Sequence, residues 1–334
     1  MSATRVAVLS GGRSSEHEVS LASGASVAQG LADAGYAVVA IEIGRDGVWR
    51  RRGEPVTVAL GAGPEGIDVV FPVLHGPFGE DGTVQGLLEC LDVPYVGAGV
   101  LASALCMDKI AFKRAMVAAQ IPQVAYRALH ERSHADDPVA SARAVAQLGW
   151  PVFVKPARLG SSVGIARVEG PAQLDAALAA AFAHDPSVIA EAFADALEVE
   201  CSVLGNGDPI ASQPGEILLA AGEDAWYDYK AKYTPGGMEL IVPARIAPDS
   251  RERVRELAVE AFVATGCAGL ARVDFFVLRD GDVLVNELNT MPGFTQTSVY
   301  GSLFAASGVP YPELLHRLVE LALERHAEQR RHRY

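Results

Sequence analysis

One pair of segments constrains this chain more than any other: Ala271-Arg272-Val273-Asp274-Phe275-Phe276 and, a short turn later, Val285-Asn286-Glu287-Leu288-Asn289. The intervening Arg279-Asp280-Gly281-Asp282 suits a tight hairpin turn. A hairpin centred on Asp280-Gly281 sets Asp274 opposite Glu287 and Arg272 opposite Asn289, with the same register running to the turn. Side chains alternate along a strand, so Arg272, Asp274, Glu287 and Asn289 share one face. Their neighbours are apolar, which predicts a buried hairpin whose polar groups need partners. Asp274, Glu287 and the Asn289 amide oxygen form a hard, all-oxygen set suited to magnesium and therefore to phosphoryl chemistry. A structural cluster in which Asp274 and Glu287 neutralise Arg272 fits the same pattern. The residues after the hairpin favour a ligand site: in Thr290-Met291-Pro292-Gly293-Phe294-Thr295 a glycine can bring a backbone N–H close to a bound group.

The opposite charge comes from Val152-Phe-Val-Lys155-Pro-Ala-Arg-Leu-Gly160-Ser161-Ser162-Val-Gly164. A strand delivers a lysine into a glycine- and serine-rich turn whose free N–H groups can cradle phosphate. It lacks the Gly-Lys-Ser/Thr ending of a Walker A loop, and alone it reads equally well as an ordinary hairpin loop. Toward the N-terminus, strand and helix alternate to about residue 112, which predicts a parallel sheet with its ligand crevice at the carboxyl ends of the strands. Two polar loops occupy such ends, Gly11–Glu18 and His75–Gly82. Within them His17 and Arg13 read as supporting or surface residues, and Glu80 and Asp81 as caps of a helix starting at Thr83. The segment from Gly222 to Gly237, with Trp226, Tyr227, Tyr229 and Tyr233 among charged residues, reads as a lid over a site.

Composition narrows the class. The chain has 334 residues, half of them hydrophobic, and a net charge of −13. It is long for a single core, too apolar for disorder, and too acidic for nonspecific nucleic-acid binding. Its Cys90, Cys106, Cys201 and Cys267 lack metal-ligand spacing and read as reduced thiols. There is no apolar run of membrane-spanning length and no charged-then-apolar leader, so a cytoplasmic protein is expected.

Together the motifs resemble the D-alanine–D-alanine ligases of the ATP-grasp superfamily. The likeness runs nearly end to end: Gly11-Gly-x-Ser-x-Glu16-x-Glu18-Val-Ser20, Leu74-His75-Gly76, Gly79-Glu-Asp-Gly82, Met107-Asp-Lys109, Lys155-Pro156, Gly160–Gly164, Tyr227-Asp-Tyr229-x-Ala-Lys232-Tyr233, Arg272-Val-Asp274 and Glu287-Leu-Asn289-Thr-x-Pro-Gly293. The resemblance implies an α/β protein with an N-terminal parallel-sheet domain (1–112), a central ATP-grasp subdomain (113–204) and a C-terminal one (205–334) with a lid at about 222–240. It implies ATP-dependent joining of two D-alanines through a D-alanyl phosphate, for peptidoglycan precursors. Synthesis of D-alanyl-D-lactate and a catalytically silent ATP-grasp protein are the alternatives; Tyr233 matches the dipeptide makers.

Residue by residue, the resemblance gives Asp274, Glu287 and Asn289 two Mg²⁺ ions, with Glu287 shared and Mn²⁺ as a possible substitute. Lys109, Lys155, Ser161, Ser162 and Lys232 would meet the phosphates, and Glu191, Glu198 and Phe193 the adenine and ribose. For Phe193 a core position fits equally well. Arg272 and the Gly293 N–H would stabilise the oxyanion of the second step. Glu16 would bind the first D-alanine's ammonium, and Ser161, Tyr233 and Glu16 would link lid to loops. His75 would orient the reacting carboxylate or move its proton, although a histidine after a strand is more often structural. Ser298 would bind the second D-alanine's carboxylate. A homodimer is expected.

Overall fold

The computed structural model describes residues 3–61, 63–160, 163–219 and 237–332. Its N-terminal sheet is built on Arg5–Gly11, which lies parallel to Ala37–Ile43 on one side and to Val69–Pro72 on the other. Both faces of this sheet are covered, which is why its strands read as continuous apolar runs. Val6, Val8 and Phe71 pack with Val27 and Leu31 of helix His17–Asp33 and with Leu314, Leu315 and Leu318 of the last helix, Tyr311–Gln329. Ala7, Leu9 and Val70 pack with Leu88 and Leu91 of helix Thr83–Leu91. Helix His17–Asp33 sits so close to the sheet that a Cβ at Gly24 would lie 2.4 Å from the Ser10 Cβ. The sheet is not wholly parallel, because Trp49–Arg51 and Glu54–Pro55 add an antiparallel edge that the βα rhythm did not announce.

The central sheet is antiparallel, with Val152–Pro156 and Ser187–Ala192 at its middle. Val152, Val154, Val188 and Ala190 turn to Leu174 and Leu178 of helix Pro171–Phe182. Alternation sends Phe153, Lys155, Ile189 and Glu191 to the other face. The C-terminal sheet repeats this plan. Val199, Cys201 and Val203 of strand Ala196–Gly205 and Val273, Phe275 and Val277 of strand Gly269–Leu278 form a core with helix Pro248–Ala264. Glu198, Glu200 and Ser202 pair with Phe276, Asp274 and Arg272 on the opposite face. Among the described residues no helix is long and apolar enough to cross a membrane.

The hairpin sets Asp274 against Glu287 and Arg272 against Asn289, but by another route than a two-residue turn. The Leu278 N–H bonds the Asp282 carbonyl at 2.8 Å, and Gly281 takes φ +94°. Nearer the turn Phe275 therefore faces Val285, and a bulge after Asp274 absorbs the extra residue, Asn286. The bulge aligns Val285 with the preceding chain, where its N–H bonds the Pro122 carbonyl at 2.8 Å.

Candidate active site

The polar faces of the central and C-terminal sheets enclose a cavity of about 490 Å³. Lys155, Glu191 and Phe193 stand on one wall and Glu198, Arg272, Asp274, Glu287 and Asn289 on the other; Glu16, His75 and Gly293 close one end. Phe193 is 42% exposed, so a core position does not hold. Its ring lies under the Arg167 guanidinium at 5.1 Å and beside Phe153 at 6.4 Å, tilted by 36°, which leaves aromatic surface in the cavity for a planar base to pack on.

The central wall carries a buried charge triad. Lys155 Nζ lies 2.5 Å from Glu191 Oε2, and Lys113 Nζ 3.2 Å from Glu191 Oε1. Burial alone would raise the Glu191 carboxyl, but Lys113 and Lys155 outweigh it and bring it down to about 2. Burial lowers Lys113 below the usual lysine range against the pull of Glu191. On Lys155 burial acts downward too, yet Glu191 prevails and the ammonium is stabilised. Lys109 reaches between walls: its Nζ donates to the Leu159 carbonyl at 2.8 Å and lies 3.9 Å from Glu287 Oε2.

On the hairpin, Arg272 grips Asp274 with both Nε and Nη2 at 2.7 Å, and its Nε lies 2.8 Å from Glu200 Oε2. Asn289 Nδ2 donates to Asp274 Oδ2 at 3.1 Å. Both Asp274 oxygens are thus engaged by Arg272, as in the structural-cluster reading, with Glu200 as the second carboxylate on the guanidinium. Asp274, Glu287 and the Asn289 amide oxygen offer a hard cation chemically suitable donors. Among the described residues no three of His, Cys, Asp and Glu are grouped as a metal site, so that set depends on the amide.

At the closed end Glu16 is 6% exposed and precedes helix His17–Asp33. The Ser14 hydroxyl accepts the Glu16 N–H and donates to the His75 carbonyl, tying the two polar loops together. His17 is buried, its Nδ1 2.6 Å from the Gly12 carbonyl, and serves the turn. His75 is buried with Nδ1 2.9 Å from the Met291 carbonyl and Nε2 3.3 Å from Ser23 Oγ; burial pushes its pKa down. Asp81 accepts the Thr83 N–H, as a helix-start residue does, but Glu80 does not cap that helix. Its carboxylate turns into the site, accepting the Gly76 N–H at 2.7 Å and the Met291 N–H at 3.2 Å. Burial and the nearby Glu16 raise it to about 8.

Ser298 stands at the start of helix Val299–Ala306, where its hydroxyl accepts the Thr295 N–H at 2.9 Å. It is not among the described residues lining the cavity, though its Oγ is 3.4 Å from where a side chain at Gly293 would begin. Ser161, Ser162, Lys232, Tyr233 and most of the expected lid lie outside the described residues. Sequence reasoning missed Lys113, Glu200 and Glu80. Glu200 was open to discovery, since Glu198-Val-Glu200-Cys-Ser202 alternates with the cavity-facing period. Lys113, in helix Lys109–Ala118, gave no local signal; only the tertiary fold brings it to Glu191.

Comparison with known proteins points to one family. A family model described as "D-ala D-ala ligase C-terminus" matches residues 115–320, and its N-terminal counterpart matches 5–61 and 52–98. A D-alanine–D-alanine ligase of Deinococcus radiodurans is 48% identical over 337 residues, covering 96% of this chain and 98% of that protein. The solved D-alanine–D-alanine ligase of Coxiella burnetii superposes with a TM-score of 0.88 at 35% identity, covering 99% of this chain and 97% of that one. The VanG D-Ala:D-Ser ligase of Enterococcus faecalis superposes with a TM-score of 0.86, also at 35% identity, covering 96% of this chain and all of that one.

Proposed function

The chain belongs to the D-alanine–D-alanine ligase family, is an ATP-dependent ligase with the ATP-grasp fold, and on that premise we propose how its residues divide the work of joining two D-alanines. The carboxylate of the first D-alanine attacks the γ-phosphorus of ATP, giving an acyl phosphate and ADP. The amine of the second attacks the carbonyl, and inorganic phosphate leaves with the former carboxylate oxygen. Both steps need charge neutralised and reactants aligned more than they need a protein nucleophile.

In this reading adenine packs on Phe153 and Phe193, with Glu198 toward the ribose and Glu191 at the base. Lys109 and Lys155 face the phosphates, joined by Lys232 and the Ser161-Ser162 turn. Asp274, Glu287 and Asn289 hold Mg²⁺, which when bound offsets phosphate charge during transfer. Glu16 takes the first substrate's ammonium, and Ser298 the second substrate's carboxylate. Arg272, fixed between Asp274 and Glu200, and the Gly293 N–H meet the oxyanion of the second step. His75 has both ring nitrogens engaged, so its part is orientation. Tyr233 closes over the site with Ser161, excluding water from the acyl phosphate. A cytoplasmic homodimer completes the proposal.

One observation carries this reading: the Lys155–Glu191 wall opposes the Arg272, Asp274, Glu287 and Asn289 face across a single cavity. The test is dipeptide formation from D-alanine and Mg·ATP, followed by mass. Glu287→Gln should lower it by about two orders of magnitude, the scale of one lost electrostatic stabiliser. Undiminished dipeptide would contradict the assignment, and depsipeptide as main product in added D-lactate would overturn the product.

A further inference from the structure

Gly293 lies inside a short segment whose backbone is held on both sides by side chains from other parts of the fold. The Met291 N–H donates to Glu80 Oε1 at 3.2 Å, and the Met291 carbonyl lies 2.9 Å from His75 Nδ1. On the far side of the glycine, the Phe294 N–H donates to Ser23 Oγ at 3.2 Å and the Phe294 carbonyl accepts from the Tyr311 hydroxyl at 2.7 Å. Ser23 is fully buried, and Met291, Phe294 and Tyr311 nearly so.

The polarity of this network is set by which atoms can donate. A carbonyl only accepts, so His75 Nδ1 carries its hydrogen toward Met291. In a neutral imidazole Nε2 is then bare, consistent with burial disfavouring the charged ring. Ser23 lies 3.3 Å from that bare nitrogen and donates to it, which leaves the serine's lone pairs to accept the Phe294 N–H. The chain therefore runs in one sense, from Phe294 N–H through Ser23 and His75 to the Met291 carbonyl. Ser23 and Tyr311 stand on helices His17–Asp33 and Tyr311–Gln329, which pack on the N-terminal sheet. Both anchors thus belong to rigid elements of the scaffold.

We propose that Ser23, Tyr311 and Glu80, acting with His75, are positioning residues that clamp Met291–Phe294 so that the Gly293 N–H points at the developing oxyanion. The proposal rests on Gly293 being an oxyanion donor. Satisfying buried backbone groups would alone explain the bonds, but not their concentration on the residues that flank one donor. An oxyanion donor must be aimed within a fraction of an ångström, and a small misplacement slows chemistry without weakening ground-state binding.

Ser23→Ala and Tyr311→Phe each remove one anchor, and the second keeps the aromatic packing should the first fold poorly. The measurements are kcat, the KM values for ATP and D-alanine, and affinity for a phosphinate dipeptide analogue whose tetrahedral phosphorus imitates the oxyanion. The expected result is a fall in kcat of about 10- to 100-fold, matched by the same factor in analogue affinity, with the KM for ATP within about twofold of wild type. Folded variants that keep wild-type kcat and analogue affinity overturn the clamp. If the wild-type protein binds the analogue no better than the dipeptide, the reading of Gly293 fails instead, whatever the variants do.

Discussion

Replacing Lys113 by methionine separates resting stability from nucleotide binding. Lys113 is 1% exposed and shares Glu191 with Lys155. In the resting protein Glu191 keeps Lys155 at 2.5 Å, and the penalty of burying the Lys113 ammonium disappears with it. The stability loss should be about 1–2 kcal/mol, below the roughly 3–5 kcal/mol for stranding a buried charge. ATP changes the balance. When Lys155 turns to phosphate in the wild-type protein, Lys113 still neutralises Glu191; in Lys113→Met neither lysine does. The stranding cost of about 3–5 kcal/mol then falls on the bound state, and at about 1.4 kcal/mol per tenfold it weakens ATP by about 100-fold or more. Calorimetric titration with a non-hydrolysable ATP analogue reads the Kd, and urea unfolding reads the stability. Adding Glu191→Gln should recover much of the lost affinity, since a neutral amide no longer traps Lys155. Binding within about threefold of wild type in Lys113→Met would refute the reasoning.

Glu200→Gln takes away the second carboxylate that fixes Arg272, and kcat should fall by about tenfold while the KM for ATP stays put, as steady-state kinetics would show. Burial and Glu16 push Glu80 up to about 8, from an ordinary value of 4.5, against the opposing pull of the Gly76 and Met291 N–H groups and of Arg272. Between those two values the folded chain binds more protons than the unfolded one, so this group makes stability decline as pH rises. Unfolding measured from pH 5 to pH 8 should show a shallower decline in Glu80→Gln; an unchanged slope would remove Glu80 from the account.

The chain's local patterns carried much of the site and left its supports hidden. Period-two alternation was enough to set the polar quartet Arg272, Asp274, Glu287 and Asn289 on one strand face, while it is the burial of the other faces under helices that turns this face and Lys155 to the cavity. The pairing of Asp274 with Glu287 came out as expected although the turn did not, since a three-residue connection and a bulge at Asn286 shift the register in opposite senses. Alternation alone cannot reveal a compensated pair of irregularities. Glu80 was read as a cap because it precedes a helix start, and the neighbouring Asp81 does serve that end. What turns Glu80 inward is the Met291 N–H, more than two hundred residues away in sequence. Lys113 and Ser23 are equally long-range: each is an ordinary helix residue until the tertiary fold brings Glu191 or Phe294 to it.

The path of one oxygen atom tests the central claim most directly. D-alanine labelled with ¹⁸O in its carboxylate is incubated with the protein, ATP and magnesium, and the released phosphate is analysed by mass. Attack by the carboxylate on the γ-phosphorus makes that oxygen the bridge of the acyl phosphate, and the amine's attack expels it with phosphate. The expected result is one labelled oxygen per phosphate released, in step with the dipeptide formed. Unlabelled phosphate accompanying dipeptide would contradict activation through an acyl phosphate.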